Sequence, residues 1–214
     1  MRSPRPTPHA DAARGFTLIE LTVVLAVIVT LALILTPAMS NFINDARMAR
    51  SRNDVHTIAS AVTQVYKDTG FFPQWSAANN GGAGLAANKV DLLVSPGNVP
   101  ASAQQTPWIT GSTDTLANQL LSNAPGYTMR TATSNSGWNG PYLASTLGAD
   151  AWGNRFMVNV GLLDATTGVQ TSAGSLKSAV WVISAGPNGT IETLHTQPVT
   201  TAAAAGDDIY VRLQ

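Results

Sequence analysis

From Leu21 to Met39 the chain carries no charged residue, in an apolar run that opens at Phe16 as FTLIELTVVLAVIVTLALILTPAM. Phe16 to Thr36 is 21 residues. That is roughly 31 Å of helix at 1.5 Å per residue, the hydrocarbon thickness of a bilayer. No soluble monomer leaves such a helix bare, so it must lie in a membrane or in a bundle of like helices. A cleaved secretory signal is the other reading, but its apolar region is only about 7–15 residues and ends in a small-x-small site. The run here is longer, and the following PAMSNF offers only a weak site. A membrane-spanning helix is expected. Residues 1–15, with three prolines and three arginines, make a poor helix. Arg2, Arg5 and Arg14 precede the span and Arg47, Arg50 and Arg52 follow it. The positive charges therefore do not orient it.

Charge and composition remove several functions. Only 11% of the 214 residues are charged, 12 basic against 12 acidic, where soluble domains average about 25%. Neutrality argues against nucleic acid as the main partner, because phosphate binding needs a clustered basic surface. With no cysteine, disulfide scaffolds, zinc–cysteine sites, iron–sulfur clusters and thiol catalysis are excluded. His9, His56 and His195 have no metal-ligand spacing, and GxSxG, HExxH and GK[ST] are all missing. No catalytic constellation is found, and the chain is not expected to be an enzyme. Asn188-Gly189-Thr190 fits a glycosylation sequon that carries no weight by itself.

Glu20 is the odd residue of the apolar run. An ionisable group in a bilayer costs about 2.5 kcal/mol or more unless partnered, which marks a functional candidate. Alternatively, it sits shallow and reaches headgroup water. Gly15-Phe16-Thr17-Leu18-Ile19-Glu20-Leu21 resembles the class III signal of type IV pilins and pseudopilins. The resemblance implies that a membrane prepilin peptidase cuts between Gly15 and Phe16 on the cytoplasmic side. It also implies that Phe16 is then N-methylated and that the helix stays on the mature chain. Glu20 would pair with the terminal amine of a neighbouring subunit and set axial register, a specificity device more than a source of stability. Gly15 would let the peptidase approach the backbone. Pro37 falls where the family often bends this helix. Loss of residues 1–15 leaves nine basic and eleven acidic groups, net −2.

The helix is expected to continue beyond the membrane. Phe42, Ile43, Ala46 and Ala49 follow Pro37, and then Val55, Ile58, Ala59, Val62, Val65 and Tyr66 form one apolar stripe. Asn53, Asp54, His56, Gln64 and Lys67 make the polar face, and Gly70 with Pro73 ends the helix. A helix from Phe16 to Thr69 would be roughly 80 Å long. Residues 73–137 are rich in Gly, Asn, Ser, Thr and Pro, with a loop at Asn79–Gly82. Gly82-Ala83-Gly84 lacks the strand and lysine of a phosphate loop. Ser112-Thr113-Asp114, ahead of Leu116, Leu120 and Leu121, is read as a short helix start. Arg155–Val160, Ser178–Ser184 and Asp208–Leu213 read as strands, with turns at Gly161, Gly168, Gly186–Gly189 and Gly206. The fold class is α+β: a long N-terminal helix packed on a small antiparallel C-terminal sheet, as in pilins.

A narrower resemblance follows. Trp138-Asn139-Gly140-Pro141-Tyr142-Leu143, Asp150-Ala151-Trp152-Gly153-Asn154-Arg155-Phe156, Val182–Gly189 and Asp207-Asp208-Ile209 are similar, in that order, to the major pseudopilin of type II secretion. Trp152 and Tyr142 are expected to be core. The resemblance implies a calcium ion held by the carbonyls of Ala185 and Pro187 and the side chains of Asn188, Asp207 and Asp208. The resemblance leaves room for the Tyr210 carbonyl as a further ligand. Calcium takes six to eight hard oxygen ligands. Asn188 stands where the family carries aspartate, and 17 residues separate Gly189 from Asp207, more than the usual short loop. The competing reading is a solvated acidic pair at a strand start.

These residues imply a leader (1–15), a transmembrane or filament-core helix (16–39), its amphipathic half (40–70) and a periplasmic domain (71–214). The expected function is a subunit of a helical pseudopilus for type II secretion, anchored in the bacterial inner membrane before assembly. Its partners would be copies of itself, other pseudopilins or pilins, the prepilin peptidase and an inner-membrane assembly platform. A type IV pilus subunit is the alternative, although such pilins often close a C-terminal loop with a disulfide that this chain cannot form.

Overall fold

The computed structural model describes residues 15–75, 89–102, 107–162 and 178–213. The leader residues 1–14, the Asn79–Gly82 and Gly82–Gly84 segments and Gly168 lie outside the described residues. The chain divides into two compact units, Met1–Asn44 and Asp45–Gln214. Helix α1 (Leu18–Thr69) contributes to both.

In the first unit α1 is apolar on every side. None of its most apolar stretch is buried, and the helix is long and apolar enough to cross a membrane. Leu25, Val29, Leu33 and Phe42 all point into open space. The helix passes through Pro37 without ending. The Thr36 and Ser40 hydroxyls donate back to the Ala32 and Thr36 carbonyls on either side of it. The last turn closes in the second unit at Gly70, whose φ of +78° favours glycine. Its N–H bonds the Tyr66 carbonyl at 2.8 Å.

In the second unit the expected stripe is the buried one. Val55, Ile58, Val62 and Val65 are wholly covered and Ala59 nearly so. They pack on one face of a five-stranded sheet of order β3–β1–β4–β5–β7. Its strands are β1 (Leu92–Val94), β3 (Thr113–Thr115), β4 (Met157–Val158), β5 (Trp181–Ser184) and β7 (Ile209–Arg212). Side chains alternate across the sheet. Leu93, Val158 and Val182 face the helix cluster. Leu92, Val94, Met157, Trp181 and Ile183 face a second cluster with Trp108 and Ile191. Both faces are covered, which is why the inner strands read as unbroken apolar runs. A two-stranded parallel sheet joins β2 (Ala101–Ser102) to β6 (Thr190–Ile191).

The three C-terminal strands form where expected, and their pairing is antiparallel. Two details differ from the sequence reading. The sheet is mixed, because β1 pairs antiparallel with β4 but parallel with β3. Both of these strands come from the middle segment, and three residues are too few to display a period. Thr113–Asp114 is strand, and the short helix α3 (Leu116–Leu120) starts later. Its cap is Thr115, whose Oγ1 accepts the Asn118 N–H at 3.1 Å. Ser112 is held instead by the Asp91 carboxylate, at 2.8 Å from its N–H and 2.9 Å from its hydroxyl. Helix α2 (Pro107–Thr110) supplies Trp108 to the second cluster.

The quoted C-terminal signature has a structural explanation. Asp150 accepts the amides of Trp152 and Asn154 at 2.9 and 2.8 Å, and its other oxygen accepts the Ser184 hydroxyl of β5 at 2.7 Å. It is an Asx clamp that ties a loop to the sheet. Trp152 and Tyr142 pack against the core as expected. Trp138 joins Trp75 and Tyr127 in a separate aromatic cluster.

Candidate functional site

Two places carry the candidate residues, one in each unit. The first is the start of α1. Thr17 precedes the helix, and its hydroxyl accepts the Glu20 N–H at 3.3 Å. The Leu21 N–H bonds the Thr17 carbonyl at 3.2 Å. Thr17-Leu18-Ile19-Glu20 thus has the form of a capping box, with a carboxylate in the first turn where the helix dipole favours it. Phe16 is 85% exposed. A side chain at Gly15 would meet no atom within 4 Å, so the chain's own packing gives no reason for glycine there.

The second place lies beyond β5. The turn Ala185–Gly189 has positive φ at Gly186 (+63°) and Gly189 (+70°). It presses against the Asp207 carbonyl so closely that a Cβ at Gly186 would collide with it. This contact brings Asp207 and Asp208 to the turn despite the 17 intervening residues. Asp207 Oδ2 accepts the Asn188 N–H at 3.1 Å. Asp208 is buried, and its Oδ2 accepts the amides of Glu192 and Thr193 at 3.1 and 2.8 Å. Burial raises the Asp208 carboxyl to about 6 against the lowering effect of the Thr193 bonds, and the Glu192 charge adds to the rise.

The structure brings Ala185, Pro187, Asn188, Asp207 and Asp208 together. Tyr210 lies further along, in the ladder opposite Ile183, with its ring edge-on to Trp181 at 5.4 Å. The sequence reading missed Glu192, the one acidic residue between Gly189 and Asp207. Its Oε1 accepts the Asn188 side-chain N–H at 2.6 Å. Its other oxygen rests against Gly206, where a Cβ would collide with it. A carboxylate four residues after Asn188, across a two-residue strand, was the available signal.

The donor chemistry fits a hard cation. Glu192 Oε2, Asp207 Oδ1 and Asp208 Oδ1 are all sealed from solvent without a hydrogen-bond partner. Sealed, unpartnered carboxylate oxygens are costly unless a cation meets them. Among the described residues, no three acidic or histidine side chains gather tightly enough to hold a metal on their own. Backbone and amide oxygens must therefore complete any shell.

Comparison with known proteins bears on the first place. The family of the prokaryotic N-terminal methylation motif matches residues 11–36, which include Gly15, Phe16 and Glu20. Fimbrial protein EcpC of Eikenella corrodens is 39% identical over 74 residues, 35% of this chain. The match spans 46% of that relative's length, about half. No solved structure matches the chain. The chain carries the N-terminal methylation motif on a helix able to cross a membrane, and the motif and the fimbrial relative support a type IV pilin-like family.

Proposed function

We propose that the chain is a subunit of a helical pseudopilus that serves protein export by type II secretion. The observation that carries the filament reading is the start of α1: an all-round apolar, fully exposed helix behind a methylation motif. Such a surface needs lipid before assembly and sister helices after it. In this reading the helix first sits in the bacterial inner membrane with the second unit in the periplasm. Prepilin peptidase cuts between Gly15 and Phe16, and Phe16 is methylated. An assembly platform then adds the chain to a growing homopolymer. Head-to-tail contacts do not close, so they make a fibre.

Glu20 has two separable jobs. Its backbone N–H bonds the Thr17 hydroxyl and closes the cap; in this reading its charge meets the new amino terminus of a neighbour. Glutamine also serves in a capping box. Glu20→Gln therefore keeps the cap and loses the charge. The variant is expected to mature normally and to give at least about tenfold less filament, as loss of one buried charge partner implies. Wild-type filament yield from Glu20→Gln would leave only the capping role.

Calcium belongs to the same reading. Asp207 and Asp208 side chains, with the Ala185 and Pro187 carbonyls and the Asn188 amide oxygen, would hold it, and the Tyr210 carbonyl would complete the set. Bound calcium would supply positive charge to the sealed carboxylates and tie the turn to the chain before β7.

The fimbrial relative favours a second reading, a type IV pilus subunit for adhesion, motility or DNA uptake. Deleting the chain from its host separates the two. Loss of exported proteins from the medium with surface pili intact supports the pseudopilus. Loss of surface pili with export intact supports the pilus.

A further inference from the structure

An asparagine followed by glycine can modify itself, because the missing side chain of glycine leaves the next backbone nitrogen open to the amide carbon. The chain has three such pairs: Asn80-Gly81, Asn139-Gly140 and Asn188-Gly189. Asn80-Gly81 lies outside the described residues. Asn139 and Asn188 are both exposed, so exposure does not separate them. Hydrogen bonding does.

The Asn188 amide is tied at both ends. Its Oδ1 accepts the Thr190 N–H at 2.6 Å and its Nδ2 donates to Glu192 Oε1 at 2.6 Å. The nitrogen that would attack it is occupied too, since the Gly189 N–H bonds the Gly186 carbonyl at 3.3 Å. At Asn139 only the backbone is held, by its N–H to the Tyr142 hydroxyl at 2.9 Å. Among the described residues, neither the Asn139 side-chain amide nor the Gly140 N–H has a hydrogen-bond partner. Gly140 itself is fixed by packing, because a Cβ there would collide with the Trp138 ring. Trp138 is buried beside Tyr142, edge-on at 5.5 Å. The aromatic packing thus demands the same glycine that leaves the attack unhindered.

We propose that Asn139-Gly140 is a self-deamidation site of the folded chain, and that Asn188-Gly189 is kept inert by its hydrogen bonds. The Gly140 nitrogen attacks Asn139 Cγ and forms a new N–Cγ bond. The Cγ–Nδ2 bond breaks, and Nδ2 leaves as ammonia with the Gly140 proton. Water then opens the succinimide at either carbonyl, giving aspartate or isoaspartate; nothing is oxidised or reduced. Either product places a negative charge beside the Tyr142 hydroxyl. Isoaspartate also lengthens the backbone by a methylene and draws the residue 139 N–H away from that hydroxyl. The reaction requires nothing from filament assembly or from a metal.

The test is incubation of the full chain in detergent micelles at mildly alkaline pH, followed by peptide mapping that assigns the amide-to-acid mass gain to each asparagine. In the folded chain Asn139 is expected to convert at least about tenfold faster than Asn188, whose amide must first give up two hydrogen bonds. In denaturant those bonds are gone, and the two rates should converge. Isoaspartate should accompany aspartate at residue 139, as opening of a succinimide requires. Asn139→Gln should abolish the product there, because the longer side chain closes a disfavoured larger ring. Equal rates at Asn139 and Asn188 in the folded chain would overturn the proposal. So would a folded chain that keeps Asn139 intact over a time in which the denatured chain converts it. Aspartate without any isoaspartate would mean direct hydrolysis and would exclude attack by Gly140.

Discussion

The two halves of α1 are one helix by backbone and two different objects by chemistry. Up to Asn44 every described side chain is exposed, although most are Leu, Ile, Val or Ala. From Ser51 onward one stripe is completely covered, although the helix there also carries Arg52, Asp54, His56 and Lys67. Apolar content therefore does not decide burial in this chain; periodicity does. A helix apolar on all sides has no preferred face to present to its own domain, so its partner must be a surrounding medium. A helix with a single stripe has a preferred face, and the sheet supplies its partner.

The largest expected effect uses this contrast directly. Ile58 is wholly buried against the sheet. Ile58→Ala should cost about 2–5 kcal/mol in unfolding of the second unit, from lost transfer energy and the cavity left behind. Leu25, 52% exposed, can be changed to Ala with little effect on that transition, and should instead weaken membrane retention or assembly. Unfolding curves of the two variants in micelles, beside filament yields, decide the matter. Equal thermal shifts would mean that the first half is also packed on the domain.

Acid should separate the halves by a smaller margin. His195 is buried, its ring is edge-on to Trp108 at 4.9 Å, and its Nε2 is sealed without a partner. Burial lowers its pKa to about 4, against the small raising effect of the Asp91 charge. The unfolded chain then binds a proton between about pH 6.5 and 4 that the folded chain refuses, so stability falls as pH falls through that window. The loss is on the order of 1–3 kcal/mol. Asp208, raised to about 6, contributes the opposite slope, so the difference between wild type and His195→Gln is the readout. The variant should lose less stability on acidification. Helix signal from the first half, which has no part in this, should persist after the domain has melted. An unchanged acid slope in His195→Gln would assign the effect to other groups.

Legibility in the sequence followed the length of the pattern. Val55 to Val65 repeats long enough to expose a 3.6-residue period, so both the helix and its buried face could be read in advance. Leu92–Val94 and Thr113–Thr115 are too short for any period, and their pairing is made by contacts distant in sequence. The start of α3 was misplaced because Ser112, a good capping residue by type, is occupied by Asp91. At the N-terminus the candidate site is local, seven consecutive residues, so its motif can be read without the fold. At the C-terminus it is assembled from two segments. Asp207 and Asp208 could be named as a pair, whereas Glu192 emerges only when folding lays it over Gly206.

The smallest effect concerns where the second half begins. Ser51 is the first wholly buried residue of α1, and its hydroxyl accepts the Ala151 N–H at 3.3 Å from the loop clamped by Asp150. Two turns earlier, at Asn44, the side chain is exposed. If the boundary lies here, Ser51→Ala removes one acceptor from a partly buried amide and should cost about 0.5–1.5 kcal/mol. Ala49→Ser, two residues earlier on an exposed position, should change stability by less than about 0.5 kcal/mol. Paired denaturant curves can resolve the two. A cost at Ala49 equal to that at Ser51 would move the border of the packed helix toward the membrane. No cost at either would place it at Val55, with the Ala151 contact contributing nothing to the fold.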